Sequence, residues 1–69
     1  MDKILVTFID SRTDIEIHDC NCEMEEINIM YKENGEVVIR GDTYIIVKVV
    51  PCVNGHVTYR IYIKQHEIA

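Results

Sequence analysis

The chain has 69 residues, 28% of them charged and 48% hydrophobic, and a formal net charge of -5. Residues 1–69 are enough for one small domain and leave no room for a second. The negative balance argues against general affinity for nucleic acid or an anionic membrane, and the longest apolar runs fall far short of the ~20 residues that span a bilayer, so no membrane partner is expected.

Taken in chain order, residues 3–10 alternate Ile4, Val6 and Phe8 with their neighbours and predict a first strand. No apolar leader core precedes it. Three cysteines, an odd number, make no disulfide framework. Both observations lead to the expectation of a reducing, cytoplasmic setting.

Residues 13–20 predict a second strand after a turn containing Ser11. Between positions 14 and 26 stand Asp14, Glu16, Asp19, Glu23, Glu25 and Glu26 with no lysine or arginine among them. Such a run is an ordinary solvated face, or it is a strip that occupies a basic groove on another protein and speeds association through long-range attraction. His18, Cys20 and Cys22 also alternate, so an extended chain projects them from one face with Asp14 and Glu16. With Cys52 and His56 they could form a zinc site of thiolates and imidazoles, although no Cys-x-x-Cys or His-x3-His spacing occurs. Zinc is therefore the one cofactor considered, and none is assigned.

Residues 25–32 carry Ile27, Ile29 and Tyr31 at period two and predict a third strand. Asn34-Gly35 follows and reads as a hairpin. A three-residue loop, Glu33-Asn34-Gly35, pairs Tyr31 with Val37 and Ile29 with Ile39, so that the apolar faces agree. Residues 36–40 and 43–50 predict two more strands with Arg40-Gly41-Asp42 as the turn between them. Pro51 falls at a strand end, where a missing donor does least harm. Asn54-Gly55 predicts the last hairpin, leading into residues 56–64. A three-residue loop there pairs Val49 with Tyr59, Val47 with Ile61 and Ile45 with Ile63, and sets Cys52 opposite His56.

The fold expected is all-β: about six short antiparallel strands in a meander, closing as a small SH3-like or related barrel. The alternative is an open sheet completed by dimerisation. The expected core is Ile4, Val6, Phe8, Ile15, Ile17, Ile27, Ile29, Tyr31, Val37, Ile39, Ile45, Val47, Val49, Tyr59, Ile61 and Ile63. Tyr44, Ile46, Val50, Arg60 and Tyr62 are left on the other face of the last hairpin. Tyrosine, arginine and aliphatic residues together have the composition of a protein interface, so these five are the expected contact surface of a homo-oligomer. The alternative is that the first strands or the His66-Glu67-Ile68 tail cover them within one chain.

For function, the chain has one serine, three histidines that no pattern ties to it, and three glycines that all fall in turns. No nucleophile elbow or phosphate-cradling loop is present, and no enzyme is expected. Residues 1–33 hold nine acids and three bases, net -6, while residues 34–69 hold three acids and four bases, net +1, which sum to -5. The expectation is a non-enzymatic, self-associating interaction protein whose acidic strip meets a basic partner, as a phage or mobile-element inhibitor or accessory protein would. An alternative uses Tyr44 or Tyr62 to stack on bases while Lys48, Arg60 and Lys64 meet phosphates. A zinc-stabilised module is the second alternative.

Overall fold

The computed structural model describes residues 3–54 and 56–66, without the side chains of Asn54 and His56. Their order is β1 (Ile4–Asp10), β2 (Glu16–Cys22), α1 (Met24–Met30), β3 (Glu36–Ile39), β4 (Asp42–Asn54) and β5 (His56–Gln65). The five strands form one open sheet in the order β2-β1-β5-β4-β3, curled into a half-barrel. The all-β expectation holds. The strands number five rather than six, and the sheet is mixed: β1 lies parallel to β5 while the other neighbours are antiparallel.

Residues 24–30 are a helix, which corrects the predicted third strand. Glutamate and methionine are strong helix formers, and Glu25 and Glu26 in the first turn complement the helix dipole. Ile27 and Tyr31, four residues apart, fall on one face and pack into the concave side of the sheet; the Tyr31 ring meets Phe8 edge-on at 5.4 Å. Ile29, the residue whose alternation imitated a strand, is 73% exposed.

Asn34-Gly35 is consequently no hairpin. Asn34 adopts φ 69° in the turn that leads from α1 to β3, and the Gly35 amide donates to the Lys32 carbonyl at 2.9 Å. A Cβ at Gly35 would stand 3.0 Å from that same carbonyl, a crowded approach that glycine avoids. The tight two-residue hairpin lies instead at Arg40-Gly41 between the paired Ile39 and Asp42. Both turn residues have positive φ, 53° and 85°, as a type I′ connection demands.

Two bulges decide which side chains enter the core. In β2, Phe8 pairs with His18 but Ile9 pairs with Glu16, leaving Ile17 as the extra residue. In β4, Lys48 pairs with Tyr62 but Ile46 pairs with Ile63, leaving Val47 extra. The last hairpin thus pairs Val49 with Ile61 and Cys52 with Thr58, shifted from the expected Val49–Tyr59 and Cys52–His56. Gly55, expected as the bulge of that turn, lies outside the described residues.

The core holds Val6, Phe8, Cys22, Ile27, Ile39, Ile46, Ile61 and Ile63, with Tyr44, Val49 and Tyr59 packed against it. Each fully buried aliphatic or aromatic side chain here contributes roughly 1.5–3 kcal/mol. Four expected core members lie elsewhere. Ile15 and Ile29 are exposed, Val47 is the bulged residue, and Ile45 turns to the convex side opposite Glu36 and Lys64.

Candidate functional site

The side of the sheet away from α1 is a grid whose rows follow from the strand pairings. Across β2, β1, β5 and β4, the first row is Asn21, Leu5, Thr58 and Cys52; the second is Asp19, Thr7, Arg60 and Val50; the third is Glu16, Ile9, Tyr62 and Lys48. Glu16 joins Asp19 on this face only because the bulge at Ile17 changes the phase of β2 between them. The face is acidic along β2, apolar through Leu5, Ile9, Val50 and Tyr62, and basic at Arg60 and Lys48. The Lys48 ammonium sits 4.6 Å from the centre of the Tyr62 ring, a cation–π contact that fixes both side chains.

Asp14 adopts φ 60° in the β1–β2 turn, where its amide donates to the Asp10 carbonyl at 2.8 Å. With Thr7, Ile9, Glu16 and Arg60 it lines a shallow depression of about 300 Å³. Asp14 and Glu16, from a run that holds no lysine or arginine, therefore share this depression with Arg60. The remaining acids of the run are on α1: Glu25 and Glu26 are exposed in its first turn and Glu23 precedes it. The expected strip is thus a ridge that wraps the free edge of β2, with Glu16 and Asp19 on the convex side and Glu23, Glu25 and Glu26 on the helix side.

The expected contact surface is divided. Val50, Arg60 and Tyr62 are together on the convex face, but Ile46 is fully buried and Tyr44 packs against the core. The bulge at Val47 is the cause, since one extra residue turns every side chain before it to the opposite face. Sequence reasoning placed Lys48 on this face with Arg60 and Tyr62 but missed Leu5 and the largely covered Ile9. The continuous apolar run from Ile4 to Phe8, broken only by Thr7, was the available signal, because a strand apolar on both faces has two surfaces to cover. Of the His66-Glu67-Ile68 tail, only His66 is among the described residues; its amide donates to the Thr43 carbonyl at 3.1 Å.

The five residues considered for zinc are not brought together. His18, Cys20 and Cys22 do share a face, but it is the concave one, opposite Phe8, Val6 and Ile4. The His18 ring stacks on Phe8 at 6.1 Å. Cys22 is buried with its Sγ 3.5 Å from the Cys20 Sγ and 3.9 Å from the Tyr31 hydroxyl. Cys52 faces the convex side, where the Thr58 hydroxyl donates to its carbonyl at 3.5 Å, and β1 and β5 separate its strand from β2. The His56 side chain lies outside the described residues. Among the described residues no group of three or more His, Cys, Asp or Glu could hold a metal ion.

Burial, then the hydrogen bond and charge of Cys22, push the Cys20 thiol up to about 11 from an ordinary 9.0. Burial, followed by the Cys22 contact, likewise raises the Tyr31 hydroxyl. Cys20 and Cys22 remain a poor disulfide pair, since Cβ atoms two apart on a strand are separated by about 7 Å and a disulfide needs roughly 3.5–4.5 Å.

A second depression of about 300 Å³ is lined by Arg12, Ile45, Lys64, Gln65 and His66. No helix among the described residues is long and apolar enough to cross a membrane. Comparison of the chain with protein-family models, curated proteins and solved structures gives no match.

Proposed function

We propose that this chain is a self-associating, non-enzymatic interaction protein that presents its acidic ridge to a basic partner, as an inhibitor or accessory protein of phage or mobile-element type would present one to a nucleic-acid-binding protein. The observation that carries this reading is the ridge itself. Glu16, Asp19, Glu25 and Glu26 are all exposed, and they flank a strand that, among the described residues, has no further strand on its outer side. A dense acidic surface on a rigid scaffold attracts a basic groove at long range and accelerates encounter.

Cys20 offers this reading no competing nucleophile: such a thiol needs a depressed pKa, and burial pushes that of Cys20 up. The test is capture of partners on immobilised protein at ~50 mM and ~500 mM salt, where screening lengths differ several-fold. Wild-type protein should retain basic proteins at low salt only, and the Glu23→Lys, Glu25→Lys, Glu26→Lys variant should lose them. An identical captured set from that variant would sink the proposal.

One contact favours a second reading, as a nucleic-acid module: Lys48 poised over Tyr62, with Arg60 in the adjoining row. Glu16 and Asp19 on the same face oppose it, because they repel phosphate. If nucleic acid binds there, Tyr62→Ala with Lys64→Ala should weaken affinity for single-stranded RNA or DNA. A blank titration at low salt removes this reading.

A further inference from the structure

We infer that the convex face is the site at which a second copy of this chain docks, about a two-fold axis parallel to the strands and passing between β1 and β5. The inference rests on the interaction-protein reading above and gives its self-association a face and a symmetry; it takes Glu16 and Asp19 into that interface and leaves Glu23, Glu25 and Glu26 of the ridge for the foreign partner.

The grid of side chains supplies the reason. β1 and β5 are the middle columns, and β2 and β4 are the outer ones. A two-fold axis between the middle columns keeps the rows and exchanges the columns, so β2 of one copy faces β4 of the other and β1 faces β5. In the third row Glu16 then meets Lys48 of the second copy, while Ile9 meets Tyr62. In the second row Asp19 meets Val50 beside Arg60. Glu16 and Asp19 are thus set against the partner's basic half, twice per dimer, while Thr7 faces Arg60 in the middle row, Leu5 faces Thr58, and the largely covered Ile9 adds little area of its own. An isologous interface needs such self-complementarity. The inverse arrangement, with β2 over β2, sets acid on acid and base on base.

The area fits a modest association. Four columns about 4.8 Å apart and three rows about 6.8 Å apart make a patch of about 19 by 20 Å, smaller than the roughly 800 Å² per partner of a standard interface. On a curled sheet the middle columns touch first, and the long side chains of Glu16, Lys48 and Arg60 close the flanks. Charge complementarity therefore holds the dimer, which should be micromolar and sensitive to salt.

The test is sedimentation of purified protein with a charge-swap pair. One variant carries Glu16→Lys and Asp19→Lys; the other carries Lys48→Glu and Arg60→Glu. Each alone should dimerise about tenfold or more weakly than wild type. Mixing them should restore a one-to-one heterodimer, because both contacts become attractive again, and a restored heterodimer also shows that both variants fold. Circular dichroism checks each one separately. Should either variant fail to fold, wild-type dimerisation read against salt, with Glu16→Gln and Lys48→Gln as milder changes, serves in its place. Wild type that stays monomeric to ~500 µM at low salt overturns the inference, as does dimerisation indifferent to salt, to the charge reversals or to the milder changes, or a mixture that stays monomeric though both variants are folded. These variants leave Glu23, Glu25 and Glu26 untouched and need no foreign partner, so failure here is distinguishable from failure of the ridge to capture one.

Discussion

On its concave side the sheet holds Val6, Phe8, Ile46, Ile61 and Ile63 at no more than 1% exposure, whereas on its convex side the same strands carry Thr7, Lys48, Val50, Arg60 and Tyr62, none of them fully covered. One side is neutral and closed by a helix; the other is charged in two signs and open. The difference teaches that the residues holding the fold and those left open to solvent lie on separate faces, although they alternate residue by residue along each strand. Changes to the first should unfold the chain, and changes to the second should leave it folded but alter what it meets.

The largest effect should come from Phe8→Ala, since removing a buried ring costs about 3–5 kcal/mol. That equals the ~3–5 kcal/mol which a core this small supplies in total, so the variant should show no cooperative transition in urea. Next come two residues of β4, four positions apart. Ile46→Ala should cost about 2–4 kcal/mol, whereas Val50→Ala should cost less than about 1 kcal/mol; similar midpoints for the two in denaturant would break the comparison. Gly41→Ala should cost about 1–2 kcal/mol from backbone strain alone, because φ is 85° there and nothing lies within 4 Å of the added Cβ.

Smaller still is the contribution of Cys20. Its folded-state pKa lies above its unfolded value, so the folded chain holds that proton more tightly. The stabilisation is complete below pH 9.0 and is lost as pH rises towards about 11. Alkaline titration followed by circular dichroism should show stability falling in that window, and Cys20→Ala should flatten the fall. The smallest effect belongs to the convex charges: Glu16→Lys with Asp19→Lys should shift stability by no more than about 0.5 kcal/mol at physiological salt. A shift as large as that of Ile46→Ala would mean that the convex face is structural after all.

Much of the fold was legible in local pattern. Residues 4–10, 36–39 and 56–65 alternate or run apolar and are strands, and Arg40-Gly41 is a turn. Three features were not legible, each for a physical reason. Ile27, Ile29 and Tyr31 satisfy period two as well as Ile27 and Tyr31 satisfy a helical step of four, and only the Met24-Glu25-Glu26 lead separates the two. The bulges at Ile17 and Val47 carry no local signal, because packing on both sides of the strand selects them. The parallel pairing of β1 with β5 joins residues more than fifty positions apart, which nearest-neighbour patterning cannot see. The candidate site inherits those limits: Val50, Arg60 and Tyr62 were on the right face, and Ile46 was not, because the bulge lies between them.

One further consequence follows from the reach of β3, which pairs with β4 only through Ile45, while loop residues Asn34 and Gly35 hydrogen-bond to Ile46. Beyond that point, residues 47–54 of β4 have β5 on one side and, among the described residues, no strand on the other. Val47, Val49, Val50, Cys52 and Val53 make this stretch rich in β-formers, and Lys48 is its one charge. A segment of that kind on a bare edge is a template for indefinite strand addition and fibre growth. Pro51, expected at a strand end, is instead inside β4 and paired with Tyr59, and it has no amide hydrogen to offer an incoming chain. The chain's lone proline thus serves its shelf life: exchange it for valine, and the domain should still fold but seed its own precipitation.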